Sequence, residues 1–488
     1  MTASRDQLIS PRDANWAEAL PPARGVTAAE IRAHLSEARR LVVLDDDPTG
    51  TQTVRDVPVL TRWDVEDVRW ALRQGAPGFY VLTNTRSLSP AAAAERNRDV
   101  ARACLEAARL EDVQLAFASR GDSTLRGHFP LETDVLAEVL AEHGQPTHAV
   151  LLSPAYIDAG RVTVAGIHWA AGPAGLTPIA DGEYARDATF GYRSSRLAEW
   201  VEEKSGGRLR ADQVAEVHLA DIRAAGGGAL GAVLSAAQDG QVVAIDAATD
   251  DDLRAAVLDI LAAERAGVGI VARVGPSFVR ARLGQEDGSR IADERLAQLV
   301  DPDSHGLVVV GSHVGLTTRQ LDALRQRRSP TEIELDVAKV MDPADRAAHV
   351  EQVVRQAVTA LADDLVVVRT SRRLVTGADA NGSLDIARTV SAALVDATAR
   401  IVGQRRPSFV VAKGGITSSD VATQALRLDR AWIRGPILDG IVSLWEAASG
   451  FAADLPYVVF AGNVGGDTSL ADVVERLEKA SGRSEKPA

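Results

Sequence analysis

Leu41-Val42-Val43-Leu44-Asp45-Asp46-Asp47-Pro48-Thr49-Gly50-Thr51-Gln52-Thr53 sets a short apolar run directly against three carboxylates and a Pro-Thr-Gly turn. The run Leu41–Asp45 has no polar alternation, as expected of a strand buried on both faces of a parallel sheet. The same pattern recurs outward along the chain. FYVLTNT (Phe79–Thr85), LAFAS (Leu115–Ser119), HAVLLS (His148–Ser153) and VVAIDA (Val242–Ala247) follow in the first half. GLVVVGS (Gly306–Ser312), LVVVRTS (Leu365–Ser371), FVVAKGG (Phe409–Gly415) and YVVFAGN (Tyr457–Asn463) follow in the second. Helix-like stretches such as Ala91–Ala108 and Leu131–Glu142 lie between them. Apolar strands alternating with helices predict the α/β class, with two domains, each a mainly parallel sheet flanked by helices. The polar, turn-rich segment Gly284–Ser304 is the expected boundary. The expected layout is a helical extension over 1–40, a first domain over 41–290 and a second over 305–488.

Composition narrows the functions open to such a chain. Of 488 residues, 46% are hydrophobic and 25% charged, which allows a large core. Aromatic residues are only 4%, so Val, Leu, Ile and Ala must fill that core. Lys plus Arg number 54 against 67 Asp plus Glu, a net charge of −13 with no basic stripe, which argues against a nucleic-acid partner. An anionic substrate would have to be drawn in by local arginines. The single cysteine, Cys104, allows no intrachain disulfide. The opening residues Met1–Trp16 carry charges throughout and lack the apolar centre of a signal peptide. No apolar run approaches the ~20 residues that span a bilayer. The expectation is a cytoplasmic protein without a membrane partner, and a homodimer is left open.

Open α/β sheets bind ligands at the carboxyl ends of their strands, so the turns there carry the functional reading. In the turn Asp45–Thr53, Asp45 or Asp46 could orient a hydroxyl, accept its proton or hold Mg²⁺, whereas a solvated turn would explain a single Asp but not three. Arg86, in TNTRSLS (Thr83–Ser89), could fork onto a carboxylate. SRGDSTLRGH (Ser119–His128) brings Asp122, Ser123, Thr124 and Arg126 beside two glycines, a set suited to a polyhydroxy acid. Arg161, in AGRVT (Ala159–Thr163), adds another cation. The second half offers three Gly/Ser/Thr-rich turns: GSHVGLTTRQ (Gly311–Gln320), AKGGITSSD (Ala412–Asp420) and FAGNVGGDT (Phe460–Thr468). Backbone N–H groups at such turns cradle phosphates, and Lys413 could add a point charge. One Gly-Gly alone would be a tight turn; three point to a nucleotide.

Several motifs are absent or misleading. There is no P-loop, no H-E-x-x-H and no G-x-S-x-G. His128 and His313 lie in the turns of interest without metal-ligand spacing. Gly226–Gly231 matches G-x-G-x-x-G, with Asp246 twenty residues beyond Gly226, yet no strand abuts its first glycine, and such a match is an accidental one.

At these residues the chain resembles the four-carbon acid sugar kinase family. The resemblance rests on DDDPTGTQT, TNTRS, the run Asp122–Gly127, GRVT at Gly160–Thr163, GS at Gly311–Ser312, GGIT at Gly414–Thr417 and GNVGG at Gly462–Gly466, in that order. It implies a sugar-acid-binding domain over 41–290, a nucleotide-binding domain over 305–488, and ATP- and Mg²⁺-dependent phosphorylation of the terminal hydroxyl of threonate, erythronate or an oxo-tetronate. It assigns Asp46, Arg86, Asp122 and Arg126 to the acid, and Ser312, Gly414, Gly415, Ile416, Thr417 and Gly462 to the nucleotide. The turns themselves add Ser123 and Arg161 on the acid side, with Asp45 or Asp46 catalytic, and Lys413 and Asn463 on the nucleotide side; no metal ligands are assigned. Two positions depart from the family: Ser119-Arg120-Gly121 stands where a lysine is common, and Phe460-Ala461 precede Gly462 where the last loop has one. Lys413 is the residue that could supply the missing charge. Three other readings stay open: a metal-assisted, nucleotide-independent isomerase, aldolase or lyase; a non-catalytic sugar-acid or nucleotide binder; and an NAD-dependent dehydrogenase, which would depend on Gly226–Gly231.

Overall fold

Parallel strands need helical crossovers, and the chain supplies them in both of its units, Met1–Gly288 and Ser289–Ala488. The computed structural model describes residues 16–172, 175–286, 288, 290–372, 380–438, 440–462 and 464–482.

The first unit contains β1 (Arg40–Asp45), β2 (Val57–Leu60), β3 (Gly78–Leu82), β4 (Leu115–Arg120), β5 (Ala149–Ser153), β6 (Arg161–Val164), β7 (Ile167–Gly172), β8 (Gly175–Pro178), β9 (Ala215–Val217), β10 (Gln241–Ile245) and β11 (Ile270–Val274). Eight of them form a wholly parallel array in the order β2-β3-β1-β4-β11-β5-β10-β9. Because β1 pairs with β3 on one side and β4 on the other, the connections diverge beside β1, the kind of switch point at which open α/β sheets bind ligands. One face is covered by the helices Val65–Arg73 and Pro90–Glu111, which pack Val68, Leu72, Val100 and Leu105 against Val42, Leu44, Phe79 and Val81. The long helix starts where Ser89 caps it and Pro90 presets its first turn, and it ends on Asp112 in the left-handed region. Strands β6, β7 and β8 form a separate antiparallel sheet.

The second unit contains β12 (Leu307–Val310), β13 (Thr331–Leu335), β14 (Val366–Thr370), β15 (Val410–Lys413), β16 (Arg430–Leu438), β17 (Val442–Ala447) and β18 (Pro456–Phe460), in the order β13-β14-β12-β15-β18-β17-β16. The first five of that order are parallel; β17 and β16 extend the sheet antiparallel. The helices Gly315–Arg328 and Ser469–Ala480 cover one face, packing Leu321, Leu324, Leu470 and Val474 on Val308, Val411 and Val458. Again the connections diverge beside a central pair, here β12 and β15.

The G-x-G-x-x-G match has a purely local role. Gly226, Gly227 and Gly228 all have positive φ and follow the short helix Leu219–Ile222, not a strand. The N–H groups of Gly228 and Gly231 donate to Asp259, and Asp246 accepts from the N–H groups of Ala165, Gly166 and Leu219. No helix of the described residues is long and apolar enough to cross a membrane.

Candidate functional site

Strand β1 ends in buried acid. Asp45 and Asp46 are each 1% exposed, and carboxylates at that depth require partners. Asp45 receives Arg120, the last residue of the neighbouring β4, whose Nη2 also donates to the Asp47 carbonyl at 2.6 Å and lies 3.3 Å from Asp46 Oδ1. Asp46 is gripped by Arg86: Nη2 donates to Oδ1 at 2.6 Å and Nε to Oδ2 at 3.2 Å. Arg86 also reaches Asp47 at 3.3 Å. Thus the turns after β1, β3 and β4 converge at one place.

The turn after β4 supplies the next layer. Asp122 accepts from Arg126 Nε at 2.6 Å and from Thr124. Burial opposes its ionisation, but the charges of Arg86 and Arg126 and the Thr124 hydrogen bonds outweigh that and hold its carboxyl below the usual range. Asp46 behaves oppositely. Burial pushes its carboxyl up to about 6 against the pull of Arg86 and Arg273. Two neighbouring carboxyls with pKa values driven apart are the usual mark of a division of labour in a catalytic site.

Beneath this surface lies a network that sequence reading missed. Arg273, within β11, binds Glu132 and donates to Ser119 Oγ at 2.7 Å, while Thr85 Oγ1 donates to Glu132 at 2.5 Å. The guanidinium of Arg273 fills the space that a side chain at Gly121 would need, and that of Arg120 does the same at Gly50. Those glycines are therefore required by close approach. An arginine inside the apolar run Ile270–Val274 was the available signal. Tyr184 and Asp187 were also missed: Arg126 stacks on the Tyr184 ring at 4.6 Å and lies 3.6 Å from Asp187. Ser123 is buried, and its carbonyl faces His168 Nε2 at 2.8 Å. Arg161, at the start of β6, donates to the Ala159 carbonyl at 2.7 Å and has no hydrogen bond to the Asp46–Asp122 group among the described residues.

In the second unit, the turns after β12, β15 and β18 meet. Thr317 Oγ1 lies 3.1 Å from both Ser312 Oγ and the Gly462 carbonyl. A side chain on Gly462 would come within 2.7 Å of Ser312 Oγ, and one on Gly414 within 3.0 Å of Thr417 Oγ1. Gly414 also sits at φ +128°, open only to glycine. Gly415 faces open space, and Ile416 and Val314 are exposed at 67% and 47%. Three turns thus meet with glycine backbone uncovered by side chains, an arrangement of the kind whose N–H groups can hold an anion. Lys413 is close to it but does not line it, being wholly buried. Asn463 lies outside the described residues.

No group of three His, Cys, Asp or Glu among the described residues is arranged to hold a metal ion. Asp45, Asp46 and Asp47 are committed to arginines. Mg²⁺ commonly binds through substrate phosphates with one or two carboxylates, so the donors present fit an ion arriving on a nucleotide better than a resident one.

Residues 41–282 match the sugar-binding N-terminal domain and residues 307–470 the nucleotide-binding C-terminal domain. The chain belongs to the four-carbon acid sugar kinase family. It is 26% identical over 299 residues to a D-erythronate kinase of Heliobacterium modesticaldum, a match covering 59% of this chain and 60% of that one. It is 25% identical over 370 residues to a D-threonate kinase of Salmonella typhimurium, covering 73% of this chain and 79% of the other. Two solved structures share the fold. A Salmonella typhimurium LT2 protein described as a candidate tRNA synthase has a TM-score of 0.64 at 18% identity, covering 89% of this chain and 98% of that one. A Haemophilus influenzae protein has 0.60 at 16%, covering 88% and 98%. At those identities the likeness speaks to the fold alone.

Proposed function

We propose that the protein is an ATP-dependent kinase of a four-carbon sugar acid of the threonate, erythronate or oxo-tetronate type. The observation that carries the reading is the convergence of three strand-end turns on Asp46, with Arg86 and Asp122–Arg126 beside it. A carboxylate near neutral pKa and two arginines are what a hydroxy acid needs: one group to take a hydroxyl proton, two to hold the carboxylate. Kinship with a D-erythronate and a D-threonate kinase supports the substrate class.

In this mechanism Arg86 and Arg126 hold the acid and Asp46 orients its terminal hydroxyl. The hydroxyl oxygen bonds to the γ-phosphorus of MgATP, the bond to the β–γ bridging oxygen breaks, ADP leaves, and the hydroxyl proton passes to Asp46. The N–H groups of Gly415, Ile416, Thr417 and Gly462, with those of the Ser312 turn, hold the phosphates, while the Gly414 N–H is kept by the Phe460 carbonyl at 2.8 Å. Mg²⁺ bound to the nucleotide would offset their charge, and positioning by the two sets of turns supplies most of the rate. Asp45 serves by fixing Arg120.

The direct test is ADP release in the presence of ATP, Mg²⁺ and a panel of four-carbon acids. ADP should appear only with an acceptor acid; release independent of the acid would remove the acid from the reaction. Two further outcomes follow. Because Asp46 must be ionised to take the proton, kcat/KM should fall about tenfold per pH unit below about pH 6. A profile flat to pH 5 would contradict that role. Gly462→Ala, which drives a methyl toward Ser312 Oγ, should raise KM for ATP about tenfold or more, of order 1.4 kcal/mol, and leave acid binding by the first unit unchanged, as measured by calorimetric titration.

A further inference from the structure

Lys413 ends β15 immediately before Gly414, and its side chain is 0% exposed. In the parallel register it stands beside Val310 and Phe460. Its ammonium lies 3.7 Å from the Phe460 ring centre and donates to the Ala461 carbonyl at 2.6 Å. No carboxylate pairs with it among the described residues. The charged groups of the surrounding elements are engaged elsewhere. On the helix Gly315–Arg328, Arg319 pairs with Asp467, Arg325 with Glu332, Arg327 with Asp472 and Glu475, and Arg328 with Glu478. These pairs also account for the acids of the helix Ser469–Ala480. Asp420 accepts from Ser391 and Gln424, Tyr457 donates to the Ser418 carbonyl, and Arg372 holds the Ser312 carbonyl and Thr318. His313 lies 3.5 Å from Thr370.

A desolvated cation without an anion is unfavourable, and burial pushes the Lys413 amine down to about 7. What it holds is informative. The Ala461 carbonyl belongs to the same peptide as the Gly462 N–H, which has no hydrogen-bond partner among the described residues. A peptide whose oxygen accepts from a cation is a stronger N–H donor on its other side. That N–H sits in the turn that closes on Ser312 and Thr317.

We propose that Lys413 is a positioning residue that acts on the nucleotide through the Ala461–Gly462 peptide: it polarises the Gly462 N–H toward a phosphate oxygen and takes up a proton from solvent when that phosphate arrives. The phosphate is the anion that the buried ammonium lacks. The inference rests on the reading of the second unit as the nucleotide site. In the free protein above pH 7 the amine is mostly neutral, the bound phosphate raises its pKa, and so binding must draw a proton and weaken as pH rises.

The test is calorimetric titration of the full chain with ADP and Mg²⁺ at pH 8, in two buffers of different ionisation heat. Uptake approaching one proton per ADP is expected, with affinity falling up to about tenfold per pH unit from pH 7.5 to 8.5. Lys413→Met should abolish the uptake and weaken ADP binding at pH 7 by about tenfold or more, with sugar-acid binding retained as evidence of folding. ADP binding to the wild type without proton uptake, or uptake that persists in Lys413→Met, would overturn the inference and leave the nucleotide site standing. If neither ADP nor inorganic pyrophosphate binds the wild type, the nucleotide reading falls and this one with it. Should Lys413→Met not fold, the wild-type buffer pair decides alone.

Discussion

Asp46→Asn is expected to lower kcat for the preferred four-carbon acid by about 10²–10⁴-fold, the range over which a positioned general base contributes. The substitution keeps shape and volume but removes the proton acceptor. It also sets an amide N–H₂ against one of the two Arg86 donors that now fork onto the carboxylate. Two readouts separate the chemical role from disturbed geometry. The acid limb of the pH profile, assigned to a carboxyl near 6, should vanish with the carboxylate, whereas a merely displaced Arg86 would raise KM for the acid and leave the limb. An unchanged kcat in Asp46→Asn would show that this carboxylate is not the proton acceptor.

The second large effect is on stability. Arg120→Met should destabilise the first unit by about 3–5 kcal/mol, because it strands Asp45, buried at 1% exposure, without its cation. The loss should be read as a lower urea midpoint of that unit. It should shrink as pH falls, since a stranded carboxyl escapes its penalty by binding a proton, and its raised folded-state pKa then favours the folded form in acid. The double variant Asp45→Asn, Arg120→Met removes both charges and should recover most of the loss. If the double variant is no more stable than the single one, the pair is not what holds the turn.

The elements readable in advance were those with the simplest physical signature. A strand buried on both faces is a continuous apolar run, so β1, β4, β12, β15 and β18, and with them the turns that carry Asp46, Asp122, Ser312 and Gly414, stand out in the sequence. Strand β16, Arg430–Leu438, does not, because most of its length alternates buried with half-exposed residues. The antiparallel sheet β6–β8 escapes for a related reason: β7 and β8 bury only two residues each, so neither forms a continuous apolar run.

Within the site, legibility followed position in the same way. Residues on the turns could be named from the sequence. Arg120, at the end of β4, drew notice only as a departure from the family pattern, and Arg273 passed unnoticed, because both project from strands into space left by distant glycines and Gly121 is no different on paper from any turn glycine. Lys413 was legible as an extra charge beside the Gly-Gly turn, but its inward direction follows only from strand alternation with Val411, which faces the core. Tyr184 and Asp187 come from a segment with no apolar run to announce it. They reach Arg126 only through tertiary folding.

Transfer of phosphate from ATP to a sugar acid is decided by the fate of label from [γ-³²P]ATP incubated with the protein, Mg²⁺ and D-erythronate, D-threonate or an oxo-tetronate. Label should appear in an acid-stable phosphate ester on the terminal hydroxyl of one of these acids, in step with ADP formed, and be lost in Asp46→Asn. Label recovered only as inorganic phosphate, or conversion of the acid that needs a metal ion and no nucleotide, would contradict it.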